Sequence, residues 1–420
     1  MSFLYNLLLF LYLIFLFPKL LMDHFFFNKK RKDLLYKLGI KKYHFENNKN
    51  QDVIWLHAVS VGETKASITF LNLLKRKYPN SYIIISNTTD TGHVEAKKSL
   101  LADKHIYMPF DFSFTQKYYL KKLKPKLIIF IETDIWYNFL KYSKKYNSKI
   151  YLVSAKISKR SANRYSKIPF FSKKLFSYFD NILCQNEEYL NRFILANAKK
   201  DILKVTGNIK FDNKPQMLTL ENKQNLLQKL KLQDRKVLTI ASTHYPEEKL
   251  ILDQLENVFE KISNLKIILA PRHINRINEI ESLLIQKKIS YIYLSNIDKQ
   301  NGNEKIILVD SMGNLNDIYQ VSDLAIVAGS YIQRVGGHNI LEPIVLNTFA
   351  FFGPFMHTQK DLKDIALKYK CAQMVDIDNL LIEVLNFFNI NNHKISFDQN
   401  IKSLNLNLQG SSNQSISYIY

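Results

Sequence analysis

From about residue 51 onward, hydrophobic positions fall in short unbroken runs separated by amphipathic stretches. In the first half these runs are residues 53–56, 82–86, 127–131, 150–153, 182–184 and 203–205. In the second half they are 237–240, 267–269, 291–294, 306–309, 324–327 and 349–352. Apolar runs of this length, without polar alternation, suit parallel strands buried on both faces. Between them lie helical spacings such as Ala66, Phe70, Leu73, Leu74 and later Leu362, Ile365, Ala366, Tyr369. Strand–helix alternation on this scale predicts doubly wound α/β sheets with right-handed crossovers. Twelve strands exceed one ordinary sheet, so two Rossmann-like domains facing each other across a cleft are expected.

The best boundary is 211–234, where Asp212-Asn213-Lys214-Pro215 precedes a polar helix rich in Gln, Asn and Lys. The expected layout is an N-terminal domain over 28–210, a C-terminal domain over 211–400 and an Asn/Ser-rich tail over 401–420. Residues 1–27 stand apart. Residues 3–22 read FLYNLLLFLYLIFLFPKLLM, followed by Phe25-Phe26-Phe27 and Lys29-Lys30-Arg31-Lys32. A signal peptide carries its charge before the apolar core and ends at small residues, and this segment does neither. Its length suits one membrane span or a helix lying in the interface, with the basic cluster on the cytoplasmic side. A buried helix of a soluble domain is the alternative. The expectation is an inner-membrane anchor whose basic collar rests on acidic head groups, with the body on the cytoplasmic face.

Charge changes the picture next. Lys and Arg number 59 against 37 Asp and Glu, a formal charge of +22. Such an excess needs an acidic partner: nucleic acid, an anionic membrane face or a phosphorylated substrate. Apolar residues make up 46% and charged ones 23%, which excludes a disordered chain. Cys184 and Cys371 are the only cysteines, too few for a disulfide framework or a cysteine zinc site. No HExxH or related spacing occurs among the ten histidines, and no P-loop is present. Neither a metal nor another cofactor is expected. Aromatic and basic residues are mixed throughout without an RRM- or OB-like pattern, so nucleic acid is not an expected partner.

In open α/β sheets ligands sit beyond the carboxyl ends of the strands, so chemistry is sought there. The first run leads into His57-Ala58-Val59-Ser60-Val61-Gly62-Glu63-Thr64. Ser60 and Thr64 are capping types, and Gly62 allows a tight turn and a close approach to ligand. Glu63 then projects a carboxylate that a helix N-terminus holds ionised. It is equally suited to simple capping. A second carboxylate, Glu132, follows run 127–131 in Glu132-Thr133-Asp134-Ile135-Trp136, and it too suits acid–base work or capping. Gly207-Asn208-Ile209-Lys210-Phe211-Asp212 closes the first half.

In the second half, Ala241-Ser242-Thr243-His244 and Pro271-Arg272-His273 each follow a strand and suit anion binding. Gly329-Ser330 ends another strand and is followed by Gly336-Gly337-His338-Asn339-Ile340-Leu341-Glu342-Pro343. Backbone amides at such a turn suit a phosphate, and a Glu one turn in suits the two hydroxyls of a ribose. This suggests a sugar-nucleotide site of the GT-B type. Asp376-Ile377-Asp378 resembles a metal-binding DxD but stands where a helix cap belongs.

Taken in order, Ser60-Val61-Gly62-Glu63, Glu132-Thr133-Asp134-Ile135-Trp136, Gly207-Asn208-Ile209-Lys210-Phe211-Asp212, Pro271-Arg272-His273, Met312-Gly313-Asn314 and Gly336 to Pro343 resemble the 3-deoxy-D-manno-octulosonic acid (Kdo) transferases of lipopolysaccharide synthesis. A loop before Gly336 that is one residue longer than in many members resembles the chlamydial branch. The resemblance implies a GT-B fold, CMP-Kdo as donor and a lipid A precursor as acceptor. It implies Glu63 as proton acceptor, with Glu132 and Lys210 stabilising the transition state. It implies CMP contacts from Pro271, Arg272, Met312, Gly313, Asn314, Asn339, Ile340, Leu341 and Glu342. Tyr137 and Ile340 stand where many members have proline. Ser154 and Lys156 replace a usual Asn and Arg, which puts any contact from that pair in question. A UDP-sugar enzyme of the same fold, or an inactive nucleotide-binding scaffold, are the alternatives.

Overall fold

A computed structural model describes residues 2–25, 34–45, 51–99, 101–213, 216–389 and 393–420, with side chains for all of these except 16–25 and 393–395. The chain divides into two units, Met1–Asn213 with Leu408–Tyr420, and Lys214–Asn407.

The first unit holds β1 (Val53–His57), β2 (Tyr82–Asn87), β3 (Lys104–Tyr107), β4 (Leu127–Ile131), β5 (Lys149–Ala155), β6 (Asn181–Cys184) and β7 (Leu203–Val205). They form one parallel sheet in the order β3-β2-β1-β4-β5-β6-β7. Every residue of β1, β2 and β4 is buried. Trp55, Ile84, Ile128, Phe130 and Leu152 fill one face, and Ile54, Leu56, Ile83, Ile129 and Val153 fill the other. Two covered faces explain why the sequence shows unbroken runs instead of alternation.

The second unit repeats the plan with β8 (Lys236–Thr243), β9 (Leu265–Pro271), β10 (Tyr291–Tyr293), β11 (Ile306–Leu308), β12 (Leu324–Val327), β13 (Phe349–Phe352) and β14 (Ala372–Met374). Its parallel order is β10-β11-β9-β8-β12-β13-β14. In each sheet the direction of winding reverses once, between β1 and β4 in the first and between β8 and β12 in the second. Ligands of doubly wound sheets bind in the crevice at that reversal.

Two strands escaped the hydrophobic pattern. In β3 only Ile106 is buried, and in β14 only Ala372. Both are edge strands, where covered faces are small and polar side chains cost little. The expected tail is also different. Helix Ser411–Ser417 packs on helix Val61–Lys77, Ile419 is fully buried in the first unit's core, and Asp212 accepts the Gly410 and Ser412 amides. Residues 408–420 are thus part of the first unit.

The first segment forms helix Ser2–Phe25. Among the described residues no helix is long and apolar enough to cross a membrane. The start of this helix is tied to the first unit. Tyr5 packs on Tyr137 with ring centroids 5.2 Å apart, and Asn6 bonds Ser113 and, at 2.9 Å, Asn138. Phe3 and Phe15 stay 83% and 82% exposed, with Leu4, Leu8, Phe10, Tyr12 and Ile14 exposed as well. Phe26-Phe27 and the basic cluster Lys29-Lys30-Arg31-Lys32 lie outside the described residues.

Candidate active site

In the first unit β1 delivers His57 to the reversal and the chain turns into helix Val61–Lys77. Ser60 caps that helix with an extended backbone, and its hydroxyl accepts the Glu63 amide at 3.4 Å. Glu63 Oε2 in turn accepts the Val59 amide at 2.7 Å. This resembles a capping box, except that Glu63 accepts the amide of the residue before the cap and not that of Ser60 itself; Glu63 thus does tie down the helix start. Gly62 has helical backbone, and a Cβ there would meet nothing nearer than Ser60 Oγ at 3.9 Å. The turn therefore does not require glycine, contrary to the sequence expectation; the residue leaves open space in front of the helix start.

Across the reversal, β4 leads into Glu132, whose φ of 67° lies in the left-handed region, as does that of Ser154 at 55° near the end of the neighbouring strand. Strain of this kind in non-glycine residues gathers at functional sites. Lys156 Nζ lies 2.5 Å from Glu132 Oε2, in the ion pair of a carboxylate that is 14% exposed. The Lys156 position, uncertain from sequence, thus carries the cation that holds Glu132. Ser154 bonds Asn208 at 3.3 Å and Gln185. Two residues beyond Glu132, Asp134 Oδ2 receives the Nε2–H of the fully buried His57 at 3.0 Å. His57 Nδ1 lies 2.8 Å from the Ser86 hydroxyl and 3.1 Å from the Ser86 carbonyl oxygen. A histidine–carboxylate bridge therefore spans the reversal, close enough to act on Glu63.

Burial pushes the Glu63 carboxyl up to about 7; the Glu132 and Asp134 charges add to that, and the Val59 amide and His57 oppose it. The helix N-terminus does not hold it ionised, because loss of water outweighs the dipole. Burial would raise Asp134 too, but the bonds from His57 and Thr88 keep it below its usual value. Two acids in one crevice are thus pushed in opposite directions. Lys210 sits on the turn Ile209–Asp212, anchored by buried Ile209 and by Asn213 bonds to Thr69 and Lys65 on helix Val61–Lys77. Its own side chain is exposed and forms no ion pair among the described residues.

In the second unit the loops after β8 and β12 are stitched together by Glu247. Its fully buried carboxylate accepts the amides of His244 (3.0 Å), Gly329 (2.7 Å) and Tyr331 (3.0 Å). His244 Nε2 lies 2.8 Å from His338 Nε2, with the rings 16° from parallel, and His273 stands edge-on to His244 at 5.3 Å. Gly329 has φ of 74°, and a Cβ there would lie 2.5 Å from His338 Cδ2, so only glycine admits the pair.

The expected nucleotide residues lie on loops of the same unit, and of them Arg272 bears on the pair. Pro271 ends β9, and Arg272 is exposed, its amide bonded to Thr243 at 3.1 Å. Met312 is 73% exposed beside Gly313 at φ 94°, and Asn314 bonds Ser311. Asn339 bonds Glu342 and the Leu341 amide, both at 3.2 Å. Ile340 and Leu341 are buried at 0% and 3%, so their side chains serve the core and only backbone atoms face outward. Asp376 occupies the cap position before Ile377–Asn379 but makes no side-chain cap bond. Among the described residues no group of three His, Cys, Asp or Glu could hold a metal ion.

Sequence alone did not single out His57, Lys156, Glu247 or the His244–His338 bond as members of these sites. The available signal was position: each follows a strand end bordering, or one strand removed from, a reversal of winding.

Residues 33–213 match the family described as 3-deoxy-D-manno-octulosonic-acid transferase (kdotransferase). The chain is 31% identical over 374 residues to a 3-deoxy-D-manno-octulosonic acid transferase of Chlamydophila psittaci, covering 88% of this chain and 84% of that one. It is 36% identical over 293 residues to the enzyme of that name from Haemophilus influenzae, covering 69% and 68%. A solved glycosyltransferase from Rickettsia africae superposes with a TM-score of 0.58 at 15% identity, covering 88% of this chain and 97% of that one, and shares the two-domain fold of the GT-B class. On the strength of the first two relatives, the chain belongs to the 3-deoxy-D-manno-octulosonic acid (Kdo) transferase family.

Proposed function

We propose that this chain is an inverting glycosyltransferase that moves Kdo from CMP-Kdo onto a lipid A precursor, a tetra-acylated glucosamine disaccharide, in lipopolysaccharide synthesis. The observation that carries the reading is Glu63, a half-buried carboxyl brought to about 7 in an acidic crevice. A base tuned near operating pH is both sufficiently ionised and sufficiently basic to take a hydroxyl proton. The acceptor hydroxyl attacks the anomeric carbon, Glu63 removes its proton, and the bond to CMP breaks. Glu132, steadied by Lys156, and Lys210 stabilise the transition state electrostatically.

The second unit holds the donor. Arg272 grips phosphate, Glu342 accepts ribose hydroxyls with Asn339 orienting it, and backbone at Pro271, Met312, Gly313, Asn314, Ile340 and Leu341 frames the nucleotide. A charge of +22 suits a donor and an acceptor that are both anionic. The outward face of helix Ser2–Phe25, with Phe3, Leu8 and Phe15 exposed, lies on the cytoplasmic face of the inner membrane, where the acceptor resides.

Incubation with CMP-Kdo and the tetra-acylated disaccharide, followed by mass spectrometry of the lipid, tests this. The expected product carries one or more Kdo residues. An unchanged lipid, together with no binding of CMP, would overturn the reading.

A further inference from the structure

The His244–His338 contact has no part in the chemistry derived so far. The two side chains come from opposite sides of the winding reversal, His244 just after β8 and His338 in the loop after β12. That is the place where a doubly wound sheet receives its ligand. A 2.8 Å Nε2–Nε2 separation holds one proton between two nitrogens, so in the neutral pair one ring is the donor and the other the acceptor. The loops carrying them are tied by the Glu247 carboxylate and by the close fit of His338 under Gly329, which holds the two rings together.

The groups facing the pair are mostly basic. Arg272, Arg276 and His273 bear on His244, with Glu248 opposing; Arg272 and His273 bear on His338. Arg276 is already neutralised by Glu248 at 2.7 Å and Glu279 at 3.2 Å. Glu247 is engaged by three amides, Arg334 donates to the Tyr245 carbonyl, and His357 lies against Gly336. Burial and these neighbours leave both histidines neutral at pH 7, with His338 down to about 4 and His244 below its usual value. A phosphate arriving here brings the opposite charge, and an opposite charge within about 4–6 Å shifts such a group by about 1–3 pH units toward its charged form.

We infer that His244 and His338 act as one proton-accepting pair that charges when the nucleotide's phosphate becomes a dianion. This rests on the donor reading above. In the donor the phosphate is a diester with a single negative charge. When the anomeric C–O bond breaks, its electron pair stays on the phosphate oxygen and CMP becomes a monoester dianion. The pair takes one proton from solvent, becoming an imidazolium hydrogen-bonded to an imidazole, and the added positive charge meets the added negative charge. The acceptor's proton goes separately to Glu63, so atoms and charge balance.

Calorimetric titration of the full chain with CMP at pH 7, in two buffers of different ionisation enthalpy, reads the proton directly. Net proton uptake is expected, up to about 0.5 proton per CMP if His338 rises from about 4 to about 7, with none for cytidine, which has the base and ribose but no phosphate. His338→Gln should bind cytidine as wild type does, which shows that the site is folded, and should lose the uptake with CMP. Binding of CMP without proton uptake, or the same uptake in His338→Gln and in His244→Gln, overturns the inference and leaves the donor reading standing. Failure of wild type to bind CMP at all overturns the donor reading, and this inference with it.

Discussion

The two units solve one structural problem with opposite charge. In each, a histidine placed just at or after the first strand of its sheet reaches across the winding reversal to a side chain that follows the strand on the other side. In the first unit His57 meets Asp134 at 3.0 Å; in the second, His244 meets His338 at 2.8 Å. With a carboxylate as partner, the bridge lies among acids, Glu63 and Glu132, and Glu63 is pushed up to about 7. With an imidazole as partner, the bridge lies beside Arg272 and is held neutral. Under the proposed function, one crevice accepts a proton from a hydroxyl and the other receives an anion. The fold provides the place, and the identity of one bridging residue distinguishes the two crevices.

The largest effect should come from Glu63. Glu63→Gln keeps the capping geometry, since the amide oxygen still accepts the Val59 N–H, but cannot take a proton. Single-turnover transfer should fall at least about a hundredfold, the scale lost with a general base, while CMP affinity stays unchanged. Stability should move the other way. Its folded pKa, about 7, lies above the ordinary 4.5, so between these values the folded chain holds a proton that the unfolded chain has released. The favourable contribution is therefore present below about 4.5 and lost as pH rises toward 7. Glu63→Gln should melt higher than wild type at pH 8 and close to it at pH 5. A pure cap would give neither result.

Arg272→Ala should weaken CMP binding about tenfold or more, as expected for a desolvated charge-assisted bond, and should leave cytidine unaffected. Glu342→Gln should cost less, since the amide oxygen still accepts one ribose hydroxyl. His338→Asp sharpens the comparison, because it gives the second unit the bridge of the first. A carboxylate there faces the phosphate, so CMP should bind more weakly than it does to His338→Gln. Equal affinity in the two variants would separate the bridge from the phosphate.

Lys156→Met removes the cation from Glu132 and leaves a largely buried carboxylate unpaired. Turnover should drop about tenfold, on the scale of one charge-assisted bond, and Lys156→Arg should restore most of it. The smallest effect belongs to the outer face of the first helix. Replacing Phe3, Leu8 and Phe15 with serine should lower retention on anionic vesicles severalfold, at roughly 0.8 kcal/mol per buried methylene removed, while leaving CMP binding intact. Flotation of the two proteins with vesicles measures it.

Much of this was legible beforehand, for physical reasons that differ by element. Strands buried on both faces write themselves as unbroken apolar runs, so β1, β4 and β12 stand out in the sequence, whereas β3 and β14, with one buried residue each, do not. Glu63, Glu132, Lys210 and Arg272 stand in ordered motifs at strand ends, and three of these four ends belong to the strands flanking the crevices or their immediate neighbours. What a linear pattern does not encode is pairing across the sheet. The Asp134 partner of His57 lies 77 positions away and the His338 partner of His244 lies 94 away. The pKa of Glu63 was misjudged for the same cause, because the helix dipole is local and readable while the carboxylates and the burial that outweigh it come from distant segments. The anchoring of residues 408–420 rests on Ile416, Ile419 and backbone bonds to Asp212, too few apolar positions to form a pattern.

The most direct test of the central claim, that the first crevice is built around a base of raised pKa, is the pH dependence of single-turnover Kdo transfer with the full chain at saturating substrates. Wild type should show a rate that rises with pH and levels off, with an apparent pKa near 7, and Glu63→Gln should be slow with that inflection gone. A Glu63→Gln rate within about threefold of wild type, or an inflection near 7 that survives the substitution, would place the base elsewhere.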